Sequence, residues 1–143
     1  MAITQAMATS FKVQLLNGTQ NFSADTFKLA LYTSSATLNE NTTAYTTSNE
    51  VPSTGNYSAG GNTLTVSVTP TNSGNVAYIS FANTSWANST ITANGALIYN
   101  SSQSNAAVCV LAFGGDKTST NGTFAVNFPT ADATNAIIRL TAS

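Results

Sequence analysis

From Thr26 onward, apolar side chains recur at every second position in short runs broken by turn residues, and that period of two leaves few folds open. Thr63–Thr69 puts Leu64, Val66 and Val68 on one face and Thr65, Ser67 and Thr69 on the other. The runs Thr26–Tyr32, Asn75–Phe81, Thr123–Phe128 and Ala136–Thr141 follow the same rule, and Ala96–Asn100 and Ala106–Phe113 are short apolar runs. Strict alternation with β-branched and aromatic enrichment is the signature of half-buried strands. Pro70–Gly74, Asn94-Gly95, Gly114–Asp116 and Asn121-Gly122 supply turn chemistry between them. The pattern predicts an all-β chain: a single antiparallel β-sandwich of jelly-roll type. The expected core is Leu29, Leu31, Leu64, Val66, Val68, Ile79, Phe81, Ile98, Leu111, Phe124, Val126, Ile138 and Leu140.

Two regions fall outside the alternation. Residues 1–25 read as a loose N-terminal arm followed by a short helix over Phe11–Leu16, capped by Thr9 or Ser10 and ended by Asn17-Gly18; residues 26–143 form the sandwich domain. Phe11, Leu15 and Leu16 would form the apolar face of that helix. The segment Thr33–Asn62 has no clear strand beyond a weak one near Ala44–Thr47, and a loop of such length is expected to serve binding. Ala106–Phe113 is apolar on both faces, which requires a cover on each, either the N-terminal helix or another subunit.

Charge narrows the function. Only 6% of residues are charged and the net charge is −1, while Ser, Thr and Asn fill 58 of the 143 positions. Lys12, Lys28, Lys117 and Arg139 are too few and too scattered to track a phosphate backbone, so no nucleic-acid partner is expected. A near-neutral surface lacks the self-repulsion that keeps copies apart, which favours assembly. The apolar runs are too short to span a bilayer, the first 17 residues lack a signal-peptide pattern, and the single Cys109 makes no intrachain disulfide, so synthesis in the cytoplasm is expected. Eight N-x-S/T sequons are what so much Asn, Ser and Thr produces by chance.

No histidine is present, which removes the commonest general base and the usual zinc ligand. Cys109 sits between valines and reads as a buried, inert thiol. Asp25, Glu40, Glu50, Asp116 and Asp132 form no local pair of the glycosidase kind and no calcium loop. Gly114-Gly115-Asp116-Lys117-Thr118 is a poor phosphate loop, because Asp116 stands where glycine should precede the lysine. Trp86 reads as a core residue. No catalytic residue, cofactor or metal is expected.

Two stretches carry a family likeness. Asp25–Leu38, followed by Asn49-Glu50-Val51 and the glycines of 55–61, is one; Ile91–Asn100 with Phe113–Lys117 and Asn135–Leu140 is the other. Together they resemble small tailed-bacteriophage virion proteins of the capsid cement or decoration type. The resemblance implies a non-enzymatic β-sandwich on the outer capsid surface that clamps neighbouring major capsid proteins, and it brings no catalytic motif. The implied partners are the major capsid protein and the chain itself, as a homodimer or homotrimer on a capsid symmetry axis. The arm and the Thr33–Asn62 segment would make the contacts, with Glu40, Tyr45, Glu50 and Tyr57 as the interface residues. The alternative is a tail or fibre module that reads host surface glycans through exposed aromatics such as Trp86 or Tyr57.

Overall fold

The computed structural model describes residues 2–141. The elements, in chain order, are β1 (Ala6–Met7), α1 (Thr9–Leu16), β2 (Phe27–Tyr32), β3 (Asn62–Thr63), β4 (Val66–Ser73), β5 (Val76–Phe81), β6 (Thr84–Asn100), β7 (Ala106–Val126) and β8 (Ile138–Leu140). They form a sandwich of a five-stranded sheet, ordered β1-β7-β6-β2-β3, and a three-stranded sheet, ordered β4-β5-β8. Every strand pair is antiparallel. The expected all-β antiparallel sandwich is thus present. Here one long hairpin, β6–β7, dominates the larger sheet.

That hairpin explains where the turn signals mislead. Asn94-Gly95, Gly114–Asp116 and Asn121-Gly122 all lie inside paired strands. Ala93 pairs with Lys117 and Gly95 with Ala112, so Phe113–Asp116 bulge out opposite Asn94, whose side-chain amide donates to Asp116 Oδ1 at 3.0 Å. Two smaller bulges sit at Asn88 (φ 50°) and Asn121 (φ 48°), one on each strand, so the register slips and recovers. Between them the buried Ser89 and Ser119 hydroxyls, 3.0 Å apart, bond the backbone groups that the ladder leaves free: Trp86 O, Gly122 O, Ser89 O and Ile91 N–H. Bulges of this kind bend a strand without ending it.

The expected run Thr63–Thr69 is likewise divided. Its first residue pairs with β2 in the large sheet, whereas Val66 onward belongs to the small one. Gly61 makes the approach to β2 possible: with φ 75°, its position for a Cβ lies 1.7 Å from Leu29 O.

Phenylalanines join the two sheets. Phe22 stacks on Phe27 with centroids 4.5 Å apart, and Phe81 lies 5.8 Å from both Phe27 and Phe128. Each such pair adds about 0.5–1.5 kcal/mol beyond its area. Of the expected core, Leu29, Leu31, Leu64, Ile79, Phe81, Ile98, Phe124, Val126 and Ile138 are buried, and so is Trp86. Val66, Val68 and Leu111 are half-buried. Leu140 is a correction: it is 53% exposed, because it pairs with the exposed Ala77 at the end of the small sheet, beyond the covering core.

The N-terminal arm is ordered rather than loose. Ile3 bridges Leu38, Thr4 N–H donates to Leu38 O at 2.9 Å, and β1 pairs with Val110 and Cys109 of β7. The absence of a side chain at Gly95 leaves room for Ile3. Helix α1 starts at Thr9, with Ala8 rather than Thr9 or Ser10 at the N-cap position and no side-chain cap. It ends in a Schellman turn, with Thr19 N–H to Gln14 O and Gly18 N–H to Leu15 O. α1 packs on β7, and Ala106–Val110 are buried within the chain, while Leu111–Phe113 stay half-buried. Phe11 alone in the helix is fully buried; Leu16 is 90% exposed and does not join it.

Candidate interaction site

The segment 33–62 is held by the chain itself. Thr33 N–H bonds Asn49 O, Val51 N–H bonds Leu31 O, Tyr45 N–H bonds Asn105 O and Ala107 N–H bonds Thr43 O. Ala36, Leu38, Val51 and Tyr57 are buried. The weak strand near Ala44 reduces to one bridge, to Ala106. Tyrosines and a carboxylate hold the segment to the rest of the chain.

Glu50 is the hub. Tyr45 Oη donates to its Oε1 at 2.6 Å, and Tyr57 Oη and Gly60 N–H donate to its Oε2 at 2.6 and 2.7 Å. All three donors are neutral. Tyr57 Oη also accepts Leu31 N–H at 2.9 Å, which ties the hub to β2. Tyr99 Oη donates to Gly60 O at 2.7 Å, and its ring stacks on Tyr45 with centroids 4.6 Å apart. Tyr32 Oη donates to Thr46 O at 2.5 Å. Burial, reinforced by the hydrogen bonds to Glu50, pushes the Tyr45 and Tyr57 phenols far above their usual range; burial pushes Tyr99 up to about 12. Phenols in this state donate hydrogen bonds and neither attack nor deprotonate anything at neutral pH. The cluster is a clasp.

The four expected interface residues therefore separate. Tyr57, 1% exposed, and Glu50, 9% exposed, are used within the fold, so their side chains do not offer a contact surface. Tyr45 is half-buried, and Glu40 is exposed at the far end of the segment, where its carbonyl accepts Thr9 N–H. Sequence reasoning missed Tyr32 and Tyr99 as members of the cluster. The available signal was the set of five tyrosines, two of which donate to Glu50 while two more bond the backbone of the same loop at Thr46 and Gly60. Burial pushes the Cys109 thiol up to about 12, which keeps it protonated and unreactive.

The exposed apolar surface lies elsewhere. A groove of about 220 Å³ opens between the end of α1 and the small sheet, lined by Leu15, Phe22, Pro70, Ile79, Ile138 and Leu140. It was not foreseen, because its residues come from four separate elements. Among the described residues no helix is long and apolar enough to cross a membrane, and no three His, Cys, Asp or Glu side chains lie together. No family model, curated protein or solved structure matches the chain.

Proposed function

We propose that this chain is a tailed-bacteriophage capsid decoration protein, made in the host cytoplasm, that binds the outer capsid surface as a homo-oligomer and braces neighbouring major capsid proteins. The observation that carries the reading is how the family-like stretches lie in the fold. Asp25–Leu38 contains β2, Ile91–Asn100 contains half of β6, and the two pair residue for residue, Leu29 with Ile98 and Leu31 with Ala96. Glu50 and the glycines of 55–61 close over the same sheet through the tyrosine clasp. Most of the resemblance thus gathers on the large sheet, while its last part, Asn135–Leu140, runs into β8 of the small one.

The surface suits the role. Identical copies with a net charge of −1 do not repel one another. The apolar groove, with Leu140 half-exposed at its rim, offers a contact of the kind that a particle multiplies by repetition. The glycan-reading alternative has less support, since Trp86 (3% exposed) and Tyr57 (1% exposed) are both buried.

Co-sedimentation of purified protein with assembled capsids that lack it tests the proposal. Saturable binding with a fixed ratio to the major capsid protein is expected, together with greater heat tolerance of the particles. Failure to bind capsids, with binding to host cells or their glycans instead, overturns it in favour of the tail module.

A further inference from the structure

The far half of β7 is an open sheet edge. On the side away from β6, the first part of β7 is occupied: Ala107 N–H bonds Thr43 O, Val108 O accepts Ala8 N–H, β1 pairs with Cys109 and Val110, and Ala112 N–H reaches the Gln5 side chain. From Lys117 to Val126 nothing among the described residues lies along that side. The matching edge of β6 is covered, since Asn62 Nδ2 bonds Ser85 O at 3.0 Å and Asn56 Nδ2 bonds Ala87 O at 2.5 Å. The other sheet edges are blunted in the usual ways. β1 and β3 have two residues each and β8 three, while β4 carries Pro70 and two register shifts. Beside the open edge runs a groove of about 400 Å³, lined by Phe113, Lys117, Thr118, Phe124, Val126 and Asn127. An unpaired ladder next to an apolar trough is what an added strand requires.

We propose that this edge pairs with the same edge of a second copy, antiparallel across a two-fold axis at Asn121-Gly122, so that the large sheets of two protomers become continuous. Two features select a second copy over a foreign segment. The Asn121 bulge divides the edge into runs of equal length, Lys117–Thr120 and Thr123–Val126, and a two-fold axis at the bulge brings each run opposite the other. Thr120 then faces Thr123 of the second copy, and hydroxyl pairs of this kind stabilise antiparallel sheets. Charge agrees as well. Lys117 is the sole ionisable side chain from 117 to 126, and the axis sends the two lysines to opposite ends, where neither meets its like. A strongly charged partner segment would find one cation to answer it.

This inference deepens the homo-oligomer reading above and rests on it, but its test needs no capsid. The mass of the purified protein is measured by analytical ultracentrifugation over a concentration series, with circular dichroism as the check on folding. The wild type is expected to be a dimer. Thr120 and Thr123 are exposed, so T120K/T123K should fold as the wild type does. It places like charges opposite each other twice, and dissociation should become roughly tenfold easier. T120K/T123E places opposite charges there and should restore the dimer. A wild-type monomer, a trimer, or a dimer indifferent to T120K/T123K overturns the pairing. A monomer that still binds capsids refutes the edge and leaves decoration standing; a dimer that ignores capsids does the reverse.

Discussion

Replacing Glu50 should separate two roles that a carboxylate can play in a core, filling space and accepting hydrogen bonds. In Glu50→Ala, the Tyr57 hydroxyl and Gly60 N–H lose their acceptor in a region closed to water, while half-buried Tyr45 can turn toward solvent. A buried donor left unpaired costs about 1–3 kcal/mol, so the two together cost roughly 2–6 kcal/mol. That is a large part of the about 5–15 kcal/mol that holds a domain of this size together. Glu50→Gln behaves differently. Its carbonyl can take the place of Oε2 and keep both Tyr57 and Gly60, while its amide donates to Tyr45 Oη, which then acts as acceptor. What is lost is the charge assistance, offset by the easier burial of a neutral group, and the net cost should be about 1 kcal/mol or less. Urea unfolding at neutral pH measures both, and proteolysis within 33–62 reports whether the clasp opens before the sandwich does. If the two variants lose the same stability, or if Glu50→Ala loses less than about 1 kcal/mol, the hub reading is refuted.

Alkali should unfold the protein early. Burial raises Tyr99 from 10.0 to about 12 and Cys109 from 9.0 to about 12, so the unfolded chain releases these protons first. Stability is then full below pH 9 and falls as pH rises toward 12, which melting temperatures across that window would show. Gly61→Ala should prevent β3 from reaching β2 and cost about 4 kcal/mol or more, read as a lowered urea midpoint, because the added carbon would fall 1.7 Å from Leu29 O at a φ that disfavours a side chain. Gly95→Ala should push against both Leu111 O, 2.6 Å from the added carbon, and Ile3, raising exchange at Thr4 N–H and along β6–β7 near Gly95 while leaving the small sheet unchanged. Leu140→Ser should leave the melting temperature within a few degrees, given that residue's exposure, yet weaken capsid co-sedimentation if the groove makes the contact.

The fold class was legible because period two survives any tertiary rearrangement. Phe27, Leu29 and Leu31 alternate in the sequence and are buried in the sheet. Topology was not legible, because Asn94-Gly95 and Gly114-Gly115 carry the same local chemistry whether the chain reverses or merely bulges. Only the pairing partner decides, and Ala112 opposite Gly95 decides for the bulge. Three of the four proposed contact residues do meet, at Glu50, but they meet each other. A polar residue in a long loop carries no mark that distinguishes an anchor from a contact: the donors to Glu50 lie within ten residues of it, but what fixes them to the sheet, Leu31 N–H on Tyr57 and Tyr99 on Gly60, lies far away in the sequence.

The β6–β7 hairpin also sets how the molecule comes apart. Near its turn, Leu97, Ile98, Val108 and Val110 are wholly buried between β2, β1 and α1. Past the bulges the same two strands have only each other as ladder neighbours, with the 50–60 loop laid against them through Tyr57 and Trp86, whose ring centroids are 5.5 Å apart. One continuous hairpin therefore spans two levels of protection. Amide exchange should be slowest at Leu97–Ile98, following global unfolding, and faster by orders of magnitude around Ser85–Asn88 and Thr120–Thr123, following local opening. Anything that binds the outer half and quenches that opening would register as protection confined to the open ends of the two strands, leaving the part near the turn unchanged.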